Sequence, residues 1–544
     1  MAESFFGLNV AVRGLFSAQR SLDTVNHNLN NINTPGYSRQ QAVQIASRPM
    51  ALADGTGMMG TGSDVTGVKR IRDEYLDFKY WSENLSYGEW TAKKEVLSDL
   101  EVTFNEPSDS GFTTIMSDFF NSLQELGKDP SSAAVRSLVK QRGVTLVNYF
   151  NSMASHLEEM QKDVNYRIQT KVEEINSYAT QIQQLNRQIY ITELDGNTAN
   201  DMRDQRTLLV DKLSKLINID ANEVVAGYTP DGREDRHFVI TISGKALVDH
   251  FSISKLALEQ RSTADKVNKE DIGNLYEVKW ADGNKLNIKG GELRGYLDVR
   301  DGNEGYVNPD NGAVSPNYKG IPYYQKKLNE FVRTFARAFN EGYIDADGDK
   351  AFDAGENGTG HAAGYGYNSA VNGIRFFTMT GESRLPVSSA DFLSGAADPN
   401  DPAQVYDMYE KITAKNFSIS SDILNDYNLI ATSDITGEAG NIEILNKLLG
   451  FRKDTDMFSE GAPEDFMKSL IATLGIDAEQ AGNYSDNQQI VVNQIINRRL
   501  SDSGVSIDEE MTNLVKFQQA YSAAAKMIQT MSEIYDTLIN KLFV

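Results

Sequence analysis

A chain of 544 residues is longer than a single hydrophobic core supports, so several domains are expected. Its formal net charge of -23 argues against a nucleic-acid face, which needs clustered Lys and Arg, and the lack of any cysteine removes disulfides, zinc-thiolate sites and thiol nucleophiles together. No apolar run reaches the ~18 residues of a membrane-spanning helix, so membrane insertion is not expected.

The N-terminal stretch carries a heptad seam: Leu8, Ala11, Leu15, Ala18, Leu22, Val25, Leu29 and Ile32. It predicts a helix that starts near Ser4 and stops before Pro35-Gly36. The opening residues lack the basic and apolar regions of a secretory signal, so any export is expected to use a route that needs none. The second half of the helix is rich in Asn, at positions 26, 28, 30, 31 and 33. Asn competes for local backbone hydrogen bonds, so this half is expected to order only when packed. Glycines between Gly55 and Gly60 match a dinucleotide fingerprint in letters alone, because Val65-Thr66-Gly67-Val68 after them reads as a strand and not a helix.

Helical periodicity runs from Tyr75 to about Phe104 and from Phe112 to Gly127, with breaks near Pro107 and Pro130. After Pro130 comes the longest pattern, reaching about Leu194. Its stripe is Leu146, Phe150, Met153, Leu157, Met160, Val164, Ile168, Val172, Ile175, Ala179 and Ile182. Three successive four-residue steps between Met160 and Val172 form a stutter that unwinds a supercoil locally. A helix on the order of 90 Å long needs flanking helices, and the segment from Asn200 to Leu216 supplies one.

Near Asn218 the period changes to two. Phe238 to Val248 alternates and turns at Gly244, and Tyr276 to Trp280 ends at Asp282-Gly283, giving a β domain over 219–317. Tyr323 to Asn340 returns to helix. The glycine-rich, acidic excursion after Gly342 reads as a second β-rich outer domain over 345–426. Helical signals resume at Gly440 and continue to Leu500. A last helix opens at Ser506, with Ser506 and Glu509 as an expected capping box. Its seam is Leu514, Phe517, Tyr521, Ala524, Ile528, Met531, Tyr535, Leu538 and Leu542.

Neither terminal seam can be buried by its own helix, so the two termini are expected to pair. The fold class is therefore multidomain α plus β. Residues 1–36 with 505–544 form a terminal coiled-coil domain, and 37–218 with 318–344 and 427–504 form a long-helix bundle. One or two β-rich outer domains complete the chain.

Asp345, Asp347, Asp349, Asp353 and Glu356 take positions 1, 3, 5, 9 and 12 of a calcium loop. Lys350 stands where the sharp turn requires Gly, so a solvated acidic turn is the plainer reading, and calcium is the single cofactor candidate. The five histidines have no metal-ligand spacing. A Gly-x-Ser-x-Gly elbow, a phosphate-binding Lys loop and a His-Glu-x-x-His helix are all absent, so no enzymatic activity is expected.

The segment from Asn26 to Gln40, with Pro35-Gly36-Tyr37-Ser38-Arg39, resembles the N-terminal signature of the bacterial flagellar axial proteins. The Asp204-Gln205-Arg206 helix, the Gly290-Gly291-Glu292-Leu293 return and the run from Gly504 to Tyr521 are similar to the hook-associated branch of that family. The resemblance implies a structural subunit in a ring of its own copies between flagellar hook and filament. Its implied partners are the hook protein, a second junction protein and a cytoplasmic chaperone on the C-terminal helix. It also implies export through the flagellar type III channel and an extracellular location after a cytoplasmic stage. The assembly seam would be Leu8, Leu15, Leu22, Val25, Leu29 and Ile32 with Leu514, Phe517, Tyr521, Ile528, Met531, Tyr535, Leu538 and Leu542. The hook subunit or the second junction protein is the alternative within the family. Outside it, the alternative is an extracellular adhesin or polymer-acting enzyme, which would require a cleft of converging carboxylates in the β domains.

Overall fold

The computed structural model describes residues 6–51, 57–104, 111–228, 232, 234–342, 359–397, 402–438 and 440–537. Helix α1 (Phe6–Asn30) ends in a turn before Pro35, and a hairpin follows. In it β1 (Gln40–Ala46) pairs with β4 (Ser63–Arg70), and β2 (Met50–Ala51) pairs with β3 (Met58–Met59), both antiparallel. The fingerprint-like glycines thus fall in a hairpin with no helix behind them; Gly55 itself lies outside the described residues.

Four helices then build the body: α2 (Glu74–Phe104), α3 (Phe112–Lys128), α4 (Ala133–Glu193) and α5 (Asn200–Leu216). The 61-residue α4 starts at Ser132, whose hydroxyl accepts the Val135 N–H as a side-chain cap. Its stripe from Leu146 to Ile182 is buried throughout except at Met160, which is partly buried. Such continuous burial is possible because α2, α3, α5 and the helices after them flank it.

A four-stranded antiparallel sheet in chain order, β5 (Asp220–Tyr228), β6 (Glu234–Ile242), β7 (Lys245–Asp249) and β8 (Ser252–Ile253), is followed by the pair β9 (Leu256–Gln260) and β10 (Tyr276–Trp280). Asn176 on α4 holds β9 in place, since its amide donates to the Leu256 carbonyl and accepts the Leu256 N–H, each at 2.9 Å. Strands stop at Trp280. The rest of the expected β segment differs: α6 (Glu292–Asp301) is a helix packed on α2 and α4. Gly295 permits this approach, because a Cβ there would lie 2.5 Å from the Glu89 carbonyl oxygen.

Helix α7 (Ile321–Glu341) buries Phe331, Phe335 and Phe339 completely and ends on left-handed Gly342. The expected second β-rich outer domain takes a different form. Its described part holds two three-residue strands, β11 (Phe377–Met379) and β12 (Phe417–Ile419), with the short helices α8 (Ser389–Leu393), α9 (Pro402–Tyr409) and α10 (Ser421–Asn425). It is also not peripheral. Phe376, Phe377 and Phe417 pack on Phe119, Phe150 and Phe339, so the segment completes the aromatic core. Alternation was a poor guide here because residues buried on every side show no period of two. Just beyond that segment, the fully buried Arg136 of α4 donates to the carbonyls of Asn428 and Ile430.

Helices α11 (Glu443–Gly450), α12 (Pro463–Ser503) and α13 (Ile507–Asp536) close the chain. The α12 helix lies along α2, and α13 lies along α1. One hydrophobic cluster runs from Ala92 to Ala481, and neither α1 nor α13 contributes a residue to it.

Candidate functional site

The terminal helices run antiparallel. Near one end Gly7 faces Met531, whose Cε would lie 2.8 Å from a Cβ added at the glycine, and near the other Asn28 meets Glu510. Of the expected seam residues in α1, Ala11, Ala18 and Val25 are buried, while Leu8, Leu15, Leu22, Leu29 and the post-helical Ile32 are half-buried. Beyond those three, the buried stripe is rotated toward polar residues: Ser17, Ser21, Thr24 and Asn28. The hairpin explains the rotation, since it covers the Ser21 side of α1, and Gln44 donates to the Ser21 hydroxyl at 2.8 Å.

In α13 the seam residues Leu514, Phe517, Ile528, Met531 and Tyr535 are half-buried and Tyr521 is exposed, while Leu538 and Leu542 lie outside the described residues. Glu510 is the single described residue of α13 that is buried. The capping box does not form: Ser506 is the N-cap but its side chain caps nothing, and Glu509 turns to Arg39. A guanidinium in reach outcompetes a backbone N–H for a carboxylate.

At the root of this pair a polar joint ties both helices to the body. Asn28 is wholly buried and uses its full hydrogen-bonding capacity. Its amide donates to the Gln40 carbonyl at 2.9 Å and to Glu510 Oε2 at 3.1 Å, and its oxygen accepts from Tyr37 OH at 2.8 Å and Gln40 N–H at 2.9 Å. Arg39 donates Nε to Glu510 at 2.7 Å and Nη1 to Glu509 at 2.6 Å. On α5, Asp204 accepts from the Ser38 N–H and hydroxyl, each at 2.8 Å, and from Arg70 at 3.0 Å. Arg72 grips Asp77 with two bonds, 2.6 and 3.0 Å, and Arg499 of α12 bridges Asp77 and Asp211.

These carboxylates and guanidinia neutralise one another in a partly dry setting. Burial, followed by the charges of Asp201, Asp204 and Glu510, holds the Tyr37 phenol well above its usual range. Burial and then Asp211 push Tyr80 up to about 12. Burial also raises Asp211 against the opposing pull of Arg499. A cleft of about 540 Å³ beside the joint is lined by Ile32, Tyr37, Leu208, Arg499 and Val505 among others. The groups named in the joint are engaged in holding one another, which is the chemistry of a clamp.

The Asp204-Gln205-Arg206 motif has its physical account here: Asp204 takes the hairpin root, and Arg206 takes Glu223 of β5 at 2.6 Å. Asn28, Arg39 and Glu510 as interlocking partners were not legible, because sequence separations of 482 and 471 residues carry no local signal. The calcium-loop residues Asp345, Asp347, Asp349, Asp353 and Glu356 lie outside the described residues.

Comparison with known proteins agrees along the chain. Residues 97–353 match the family described as flagellar hook-associated protein FlgK helical domain. Residues 8–37 match the flagella basal body rod protein family, and 496–542 the flagellar basal body rod FlgEFG protein C-terminal family. The chain is 29% identical to flagellar hook-associated protein 1 of Bacillus subtilis strain 168, over 99% of each. It is 27% identical to that of Salmonella typhimurium, over 98% of this chain and 99% of the relative. A solved structure, the flagellar hook junction protein FlgK from Burkholderia pseudomallei, shares the fold with a TM-score of 0.54 at 13% identity, covering 79% of this chain and all of that one.

Proposed function

We propose a junction role for this chain, which belongs to the hook-associated protein 1 family of flagellar axial proteins: it is a structural subunit between flagellar hook and filament. The observation that carries the reading is the pair α1 and α13, which lies outside the hydrophobic core and leaves both seams half-open. A helix stripe that stays half-exposed in one chain gains its remaining burial from other chains, and a ring or tube of copies supplies them. The flagellar hook on one side and a second junction protein on the other are the partners this role requires. Export by the flagellar type III pathway, with a chaperone shielding α13 in the cytoplasm and an extracellular destination, completes the reading. The absence of cysteine suits a chain that travels unfolded, since no disulfide could block its passage.

The test is complementation. In a strain lacking the protein, the full chain is expected to restore filament attachment, and Leu22→Asp is expected to abolish it while the purified variant melts like the parent. Restored attachment with Leu22→Asp would remove the seam from the assembly device.

A further inference from the structure

The cleft of about 540 Å³ beside the polar joint has two unlike sides. On one, Arg72 is taken by Asp77, and Asp211 is taken by Arg499 and Trp81, so its charges are already matched. The other side is apolar and open. Ile32, Leu208, Ile496 and Val505 are half-buried there, and Pro35 and Leu500 are exposed, Leu500 by 60%. An accessible apolar wall, at the root of a helix pair whose own seams are half-covered, suits an apolar side chain from another chain.

Such a side chain stands on the same helix pair. Phe16 is the single large apolar residue among the described residues of α1 that is exposed, at 63%, and it lies off the covered stripe. It is about 18 Å along α1 from Asn28 at 1.5 Å per residue, so it cannot reach the cleft of its own chain. Charge favours a fit between chains. Arg20, one turn along from Phe16 on the same face, is exposed and has no ion-pair partner among the described residues. Asp502 and Asp508, three residues to either side of Val505 in the cleft wall, are exposed and equally unpaired among those residues. Knob and cleft occupy different places on one chain, so their contact joins copies head to tail, the geometry of a closed ring or a helix. We propose that Phe16 of one copy seats in the cleft of the next, with Arg20 against Asp502 or Asp508. The proposal rests on the junction reading and names the contact between neighbouring copies. An aromatic anchor in a pocket with an arginine beside it is the kind of centre that dominates an interface's energy.

Photo-cross-linking tests it. The amino acid p-benzoylphenylalanine in place of Phe16 keeps an aromatic knob, and flagella isolated from cells carrying that full chain are irradiated. The expected product is two copies joined from position 16 of one to the segment 496–505 of the other, identified by mass spectrometry. A cross-link to the hook protein, to the second junction protein or to another part of a second copy would overturn the proposal. So would attached filaments that yield no cross-link. If the label prevents attachment, a charge exchange decides. Arg20→Glu is expected to lose attached filaments, and Arg20→Glu with Asp502→Lys and Asp508→Lys is expected to regain them. Filaments retained in the first, or not regained in the second, would overturn the proposal. A parent chain that never enters isolated flagella would refute the junction reading itself, and this inference with it.

Discussion

Asn28 has two N–H groups to give and two lone pairs to fill, and all four are spent on holding α1, the hairpin root and α13 to one another. Asn28→Leu would leave Tyr37 OH, both polar groups of Gln40 and Glu510 short of a partner, at a cost of about 3 kcal/mol. The expected readout is faster hydrogen exchange in α1 and α13. A second residue-scale prediction concerns His361, which is wholly buried. Its Nε2 accepts the Ala431 N–H at 2.9 Å and its Nδ1 donates to the Ile374 carbonyl at 2.7 Å, so the ring is neutral. Burial lowers its pKa from 6.5 to about 4. The folded state therefore resists a proton that the unfolded chain accepts. The stability this ring gives is present above pH 6.5 and is lost as pH falls toward 4, a loss of about 3 kcal/mol. Urea midpoints measured at pH 7.5 and 4.5 should draw closer together in His361→Gln than in the parent.

At the scale of elements, α13 is held by its ends and edges. Its one buried side chain, Glu510, depends on Arg39 and Asn28, and it adds nothing to the hydrophobic cluster. Arg39→Ala leaves that carboxylate buried without its cation, a loss of about 3 kcal/mol on the scale of broken buried pairs. The loss should appear as exchange of α13 amides with no change in the melting of the body. Element packing within the body is set by close approach instead. A Cβ at Gly88 would sit 2.1 Å from the Lys215 carbonyl oxygen, where α2 crosses α5. Gly88→Ala is expected to cost about 2 kcal/mol in the body's urea unfolding, since backbone must move to admit it.

Seen whole, the molecule is a body with one continuous core and a two-helix arm joined to it through charges. A chain cut to residues 72–503 keeps every member of that core and is expected to melt cooperatively. It should fail to restore filament attachment, because the arm is missing; attachment by such a chain would refute the assembly reading.

The long helices were legible from periodicity alone, as the stripe of α4 and the helices α2, α3, α5 and α7 show, whereas α6, buried on nearly every side, carries no such stripe. Local chemistry also marked where the last helix begins, though its expected cap partner went to an arginine from the other end of the chain. The packing of the segment after Gly342 has no local signature, because its aromatics are buried by helices distant in sequence. The heptads fixed which residues of the arm are apolar. Which face of α1 is covered was decided by the hairpin beside it and by a joint between residues hundreds of positions apart. Short-range order follows from the spacing of side chains along one helix, whereas a buried hydrogen bond or ion pair exists only once the fold has brought both partners together and excluded water.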